Sequence, residues 1–476
     1  MLNYEEFLSK SHSLLIAPAG YGKTHTISEC LNHTEGKQLI LTHTHAGVSS
    51  IKEKLKKAKI DSKKYSVETI TSYAQKYVLA YSKKEEIPNQ EVPKTYYPFI
   101  IKEFIRLLKL SPIRKIVTSN YTGLFVDEYQ DCTEAQHELV LLLAELFPCR
   151  ILGDPLQGIF SFNDRLVDLD NAEDMKNFLG DSFELTTPWR WKIGGNENLG
   201  NDLKDIRRLL LEKEPVDLSL FSSISLRKTN DLFSEHSNEI YKIINNEKSL
   251  LVISPISTNN SSRLSFIQRF SNLCLLMESI DDKDFYKISQ ELDELASNYN
   301  FLILRNILLK LFAATEIKKW FNDNGVVNKK AIEDKEKITL FKERLNNLNS
   351  TFSFDELFKL LNDITKILKI KCYRKELLYS VKSALQEAQE QNVTVYEAMT
   401  NNRNLVRRNG KKVTGKCVGT TLLTKGLEFE TVIIIDAHKF DCPKNLYVAL
   451  TRASKNLYIF SNTKVLSPYL VKGEKE

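Results

Sequence analysis

Residues 14–27 read LLIAPAGYGKTHTI. An apolar run, SLLIA at 13–17, leads into a turn through Gly20 and Gly22, after which Lys23 and Thr24 open a helix. Glycine has no Cβ, so successive backbone N–H groups can converge on an anion. The start of a helix adds a favourable dipole for the same charge. Lys23 is placed to reach the outer phosphates of a nucleotide, and Thr24 to ligate Mg²⁺. Ala19, Gly20, Tyr21, Gly22, Lys23 and Thr24 are therefore the candidate phosphate cradle. Ala17 stands where the strict pattern has its first glycine.

The 476 residues are enough for two to four domains. A hydrophobic content of 42% with 27% charged residues suits an ordinary globular protein. The longest apolar runs, such as LVLLLAELF (139–147), fall far short of the roughly 20 residues a membrane helix needs. No N-terminal stretch has the pattern of a secretory signal. The expectation is a cytoplasmic chain with no membrane partner. Seven scattered cysteines without a CxxC pair, and histidines without an HExxH pattern, argue against zinc and against a disulfide framework. A net charge of +6 is compatible with nucleic acid without being diagnostic. The stretch RNLVRRNGKKVTGK (403–416) carries six basic side chains and no acidic one. It reads as a hairpin turning at Asn409-Gly410, either laid on a phosphate backbone through Arg407, Arg408 and Lys411 or simply a solvated loop.

Over the first 190 residues short apolar strands alternate with amphipathic helices. SLLIA (13–17), QLILT (38–42), GLFVD (123–127) and RILGD (150–154) read as buried strands. SLLVIS (249–254), TVIIID (431–436) and NLYIF (456–460) repeat the pattern. Such alternation predicts parallel sheets with crossover helices. Residues 276–411 differ: FLILRNILLKLFAATEIKKWF (301–321) and LFKLLNDITKILKI (357–370) have helical spacing. The fold class expected is α/β, with a first domain over 1–190 carrying a small insertion at about 75–118. A second domain is built from 191–275 and 412–476, interrupted by a mainly helical insertion over 276–411.

A phosphate loop needs a carboxylate on the metal side. LFVDEYQD (124–131) ends an apolar strand on Asp127 and Glu128, at the end where such sheets bind ligands. Asp127 is the candidate Mg²⁺ ligand, largely through water. Glu128 is the candidate base that polarises an attacking water.

Taken in order, APAGYGKT (17–24), LTHTHAGVSSIKEKL (41–55), TITSYA (69–74), VDEYQDCTEAQ (126–136), LGDPLQGIFSF (152–162), LTTPWRW (185–191), TLLTKGLEFETVIIID (421–436) and LYVALTRA (446–453) resemble the motif series of the UvrD/PcrA/Rep-like branch of superfamily 1 helicases. The motifs reach both ends of the chain; the long insertion matches by position alone. The resemblance implies two RecA-like domains with ATP and Mg²⁺ between them, translocating 3′ to 5′ on single-stranded DNA. It implies that Gln157 senses the γ-phosphate and that Arg190 and Arg452 act as arginine fingers, which suits a planar, permanently charged group. Glu428 would contact the ribose, Gly426 would let the backbone approach, and Trp189 would stack on the adenine in place of the usual tyrosine. Phe160 and Phe162 fall where the family stacks bases, with a core role as the alternative, and Thr42 and Tyr73 are further DNA candidates. The chain departs from the pattern at several points. It lacks the early adenine-reading glutamine, has His43 for a frequent aromatic and Leu422 for a histidine, and has Ser161 and Asn163 for arginines.

A rival reading keeps the ATPase but makes it a DNA-sensing switch for a separate nuclease, as in antiviral cassettes of short UvrD-like proteins. A small-molecule kinase would have no use for residues 419–453.

Overall fold

The computed structural model describes residues 2–469 except 91, 160–164, 176–177, 256–260, 271–272, 278–282, 325–326, 330–333 and 410–414. The first sheet is built from β1 (His12–Ile16), β2 (Gln38–Thr42), β3 (Tyr65–Thr69), β4 (Gly123–Val126), β5 (Cys149–Gly153) and β6 (Ser182–Glu184). Their order is β3-β2-β4-β5-β1-β6, with every neighbouring pair parallel. Strands β2, β4 and β5 are buried along their whole length, which is why they read as unbroken apolar runs. Alternation along the strands sends Leu14, Leu39, Leu124 and Ile151 into the core on one face. Leu15, Ile40, Phe125 and Leu152 go to the core on the other.

After β1 the chain crosses to β2 on one side, whereas after β5 it continues to β6 on the other. Ligands of such sheets bind in the crevice that opens at this divergence, beyond the carboxyl ends of the strands. The glycine turn of residues 17–22 lies there.

A short β7 (Val216–Asp217) precedes the second sheet of β8 (Ile224–Lys228), β9 (Leu250–Ile253), β10 (Leu275–Leu276), β11 (Lys416–Gly419), β12 (Phe429–Ile434) and β13 (Ala453–Ser461); β14 (Val465–Leu466) returns antiparallel to β7. The second sheet is also parallel throughout, in the order β10-β11-β9-β12-β13-β8. The two sheets are RecA-like cores wrapped by helices, so the α/β class holds.

Between β10 and β11 the described elements from Lys283 to Asn409 are helices. They enclose a core of their own, including Ile288, Leu308, Phe341, Leu361 and Val381. The helical spacing over 301–321 resolves into two helices, Phe301–Leu311 and Ala314–Trp320. The break falls where Phe312 pairs with Cys372 and the Ala313 N–H donates to Lys371 O at 2.9 Å.

The expected hairpin in 403–416 is corrected as far as the description reaches. Helix Val395–Asn409 runs through Arg407 and Arg408, so Asn409 ends a helix rather than entering a turn. Gly410 and Lys411, and the side chains of Arg407 and Arg408, lie outside the described residues. Helix Val395–Asn409 also packs on helix His45–Lys57 of the first half.

Candidate nucleotide site between the two sheets

The loop after β1 takes the shape its glycines permit. Gly20 and Gly22 have φ of +77° and +97°, a region that side chains with a Cβ enter at a cost. Helix Lys23–Asn32 starts at once, and Gly22 supplies no side-chain cap to its first N–H groups. Those groups point where an anion would sit. Ala19 and Tyr21 are each 4% exposed and belong to the same core as Leu156, Trp191 and Tyr447. Their side chains anchor the loop and leave main chain to face the crevice.

Lys23 Nζ lies 3.2 Å from Glu128 Oε1. Burial works against the Lys23 charge, but the carboxylates of Glu128, Asp127 and Asp154 outweigh it and raise the ammonium's pKa. Glu128 has φ +56°, a left-handed turn that carries the chain from β4 into the short turn Tyr129–Asp131. Its N–H donates to Asp127 Oδ1 at 3.0 Å, and Gln130 Nε2 donates to its other carboxylate oxygen. Burial pushes the Glu128 carboxyl up, yet the ammonium groups of Lys23 and Lys425 prevail and bring it down. Burial and the neighbouring Glu128 charge push the Asp127 carboxyl up, against the pull of Lys23.

Gln157 closes the turn Pro155–Gln157, and its Nε2 donates to Asp154 Oδ2 at 2.9 Å. Asp154 is fully buried; its Oδ1 accepts from Leu156 N and from Arg207 Nη2, each at 3.2 Å. Arg207 lies on helix Glu197–Leu211, so the proposed γ-phosphate sensor is oriented by a residue of the connecting helix.

The other wall comes from the segment after β6 and from the second sheet. The Arg190 N–H donates to Gly20 O at 2.9 Å. Arg190 Nη2 donates to Glu428 Oε1 at 2.6 Å and Nη1 to Thr451 O, while its Nε is buried without a partner among the described residues. Trp191 is 1% exposed, its Nε1 donating to Ala453 O at 2.8 Å. A Cβ built on Gly20 would stand 2.9 Å from Trp191 Cζ3, so glycine there is required by space as well as by φ. Trp189 Cδ1 is 3.5 Å from where a Gly22 Cβ would be, and Lys192 Nζ lies 5.4 Å above the Trp189 ring. Arg452 is 1% exposed; its Nε donates to Val448 O, Nη1 to Leu427 O and Nη2 to Thr451 Oγ1. Burial and the Arg190 charge pull the Arg452 guanidinium down to about 10, against the attraction of Glu428 and Glu128. Gly426 has φ +82° and nothing within 4 Å of an added Cβ, so it faces open space.

Lys23, Thr24, Asp127, Glu128, Trp189, Arg190, Glu428 and Arg452 are thus gathered around one crevice. The chemistry of the set suits a nucleoside triphosphate with Mg²⁺: bare N–H groups and fixed cations for phosphates, and Thr24 with Asp127 for the metal. Sequence reasoning passed over Lys54, whose Nζ lies 3.5 Å from Thr24 Oγ1 and whose charge reaches Asp127 and Glu428. It also passed over Asp154, Lys425 and Arg207. The first two, like Lys54, stand inside the quoted motifs; Arg207 sits in an unmarked amphipathic helix.

The nucleic-acid candidates fare differently. Phe160 and Phe162 lie outside the described residues, as do Ser161 and Asn163. Tyr73 is 1% exposed, edge-on to Phe104 and Tyr77, and so serves as core with no ring face free for a base. Thr42, 2% exposed at the end of β2, is likewise enclosed. Both side chains serve in packing in this conformation. His43 points inward, its Nε2 3.5 Å from Cys132 Sγ. Among the described residues no helix is long and apolar enough to cross a membrane.

Two stretches of the chain are similar to superfamily 1 helicase domains. Residues 96–178 match the UvrD/REP helicase N-terminal domain, and residues 342–461 match the viral superfamily 1 RNA helicase core domain. The chain is 27% identical over 270 residues to Gabija protein GajB of Bacillus cereus (strain VD045), an alignment covering 47% of this chain and 53% of that protein. The chain therefore spans about half the length of the curated relative it matches. Among solved structures, PRRSV helicase aligns over 97% of this chain and 55% of its own at 9% identity, with a TM-score of 0.36.

Proposed function

We propose that this chain is an ATP-driven motor that moves 3′ to 5′ along single-stranded DNA. The observation that carries the proposal is that the crevice is charged from both sides. Lys23 and Glu128 belong to the first half, Glu428 and Arg452 to the second, and Arg190 bridges from the Gly20 carbonyl to Glu428 and Thr451. A site divided in this way responds to the relative position of its halves, and a strand lying across both could set that position. The family matches, one naming UvrD/REP and one a viral RNA helicase, support a nucleic-acid motor, while DNA is our choice between the two polymers.

In this reading Lys23 leaves Glu128 for the outer phosphates, which frees the Glu128 carboxylate to orient and deprotonate the attacking water. Thr24 and Asp127 hold Mg²⁺, which when bound neutralises charge on the phosphate oxygens. Arg190 and Arg452 meet the charge that develops as the terminal phosphoryl group departs. Trp189 covers the base and Glu428 the ribose. Phe160, Phe162, Arg407, Arg408 and Lys411 remain the proposed strand contacts.

A second reading, a DNA-sensing ATPase switch acting on a separate nuclease partner in antiviral defence, is favoured by the inward turn of His43 at a position where the family presents an aromatic to DNA. A strand-displacement assay on a duplex with a 3′ single-stranded tail separates the two. A motor releases the displaced strand in the presence of ATP, and a switch hydrolyses ATP without releasing it.

A further inference from the structure

Lys425 belongs to the second half, between helix Thr421–Thr424 and β12, yet its ammonium is seated in the first. Nζ donates to Asp131 Oδ2 and to the main-chain oxygen of Gln157. The side chains of Lys425 and Asp131 are only 5% and 2% exposed. Asp131 ends the turn that follows Glu128, and Gln157 ends the turn that follows β5. One ammonium thus ties together the turns at the ends of β4 and β5, and it reaches them from across the crevice. Gly426 and Glu428 follow it by one and three residues, so its position moves with the proposed ribose-side segment.

Buried ion pairs contribute little net stability, because desolvating two charges offsets their attraction, and neutral replacements are often tolerated. The pair's geometric consequence is larger. Only when the halves are together can Lys425 meet both oxygens, and both lie on turns that carry proposed reacting groups.

We infer that Lys425 is a positioning residue: closure of the two halves inserts its ammonium between Asp131 and Gln157 and so fixes Gln157 and Glu128 for hydrolysis. The inference rests on the nucleotide-site reading above. It assigns Lys425 no contact with nucleotide, and it makes turnover depend on closure through a bond that can be removed.

The deciding variant is Lys425→Met/Asp131→Asn, made in the full chain. It removes both charges, where Lys425→Met alone would leave Asp131 buried and unpaired. Its melting temperature is expected within a few degrees of the parent's. KM for ATP should stay within about threefold, while kcat falls at least about tenfold, with or without DNA. Parental kcat in the double variant overturns the inference. So does a loss confined to KM, and so does failure to fold, since the pair would then serve stability. A parent that hydrolyses ATP but ignores DNA would overturn the motor reading and leave this kcat test standing. A parent without any ATP turnover would overturn the nucleotide site, and this inference with it.

Discussion

Arg190 and Glu428 are 238 residues apart in sequence and 2.6 Å apart in space, joined by an ion pair on the wall that faces Lys23 and Glu128. The Arg190 side chain is 11% exposed and its backbone is bonded to Gly20, so it is held at the phosphate loop from its own end. Arg190→Ala is therefore expected to fold and bind nucleotide but to lose at least about a hundredfold in kcat, as when a preorganised charge donor is removed. Arg190→Lys should not rescue it, since a point charge cannot hold Glu428, Thr451 and a phosphate together. Steady-state ATP hydrolysis decides the matter, and wild-type kinetics in both variants would remove Arg190 from the site.

Glu128→Gln should keep nucleotide binding and lose roughly a hundredfold or more in turnover, because the amide cannot accept the water's proton. Lys23→Ala should weaken binding as well, since it removes a charge aimed at phosphate. Titration with a fluorescent ATP analogue, run beside the turnover assay, distinguishes the two effects. Near-parental hydrolysis by Glu128→Gln would reassign the base.

Gly20→Ala tests the packing of the loop on Trp191. The new methyl would meet Trp191 Cζ3 at 2.9 Å and Arg190 Cβ at 3.0 Å, at a φ of +77°. The backbone cost alone is about 1–2 kcal/mol. We expect a lower melting temperature together with weaker nucleotide binding, as Trp191 and Arg190 are displaced. An unchanged melting curve would mean that the loop and the Arg190 segment are not in contact in solution.

His43 should make the fold sensitive to acid. Burial and the Lys425 charge push its imidazole down to about 3 from an ordinary value of 6.5. The unfolded chain therefore binds the proton more readily. Stability from this group is complete above about pH 6.5 and is lost as pH falls toward about 3. His43→Phe should lose less melting temperature than the parent between about pH 7 and about pH 5. Parallel curves for the two proteins would show that His43 does not titrate in this way.

What could be read in the sequence follows burial. The central strands β2, β4, β5 and β9 are enclosed on both faces and announce themselves as apolar runs. Strands β3, β6, β8 and β10 lie at sheet edges, mix in polar residues such as Ser66 and Glu184, and were not legible. The candidate nucleotide residues stood out because loop, acidic pair and arginines carry their chemistry in the residue type. The packing of Tyr73 and Thr42 was not legible, because residue type says nothing of whether a side chain faces solvent or the core. Lys425 and Arg207 were missed because their roles come from partners far away in sequence, Asp131 and Gln157 for one and Asp154 for the other.

The most direct measurement is the rate of ATP hydrolysis by the intact chain as single-stranded DNA is titrated in, with duplex DNA and RNA as parallel arms. The motor reading predicts that kcat rises to a plateau with single-stranded DNA, and that the DNA concentration needed grows as salt is added, because bound phosphates release counterions. A stronger response to RNA would correct the choice of polymer. A flat response to all three, from protein that hydrolyses ATP well, would contradict the account.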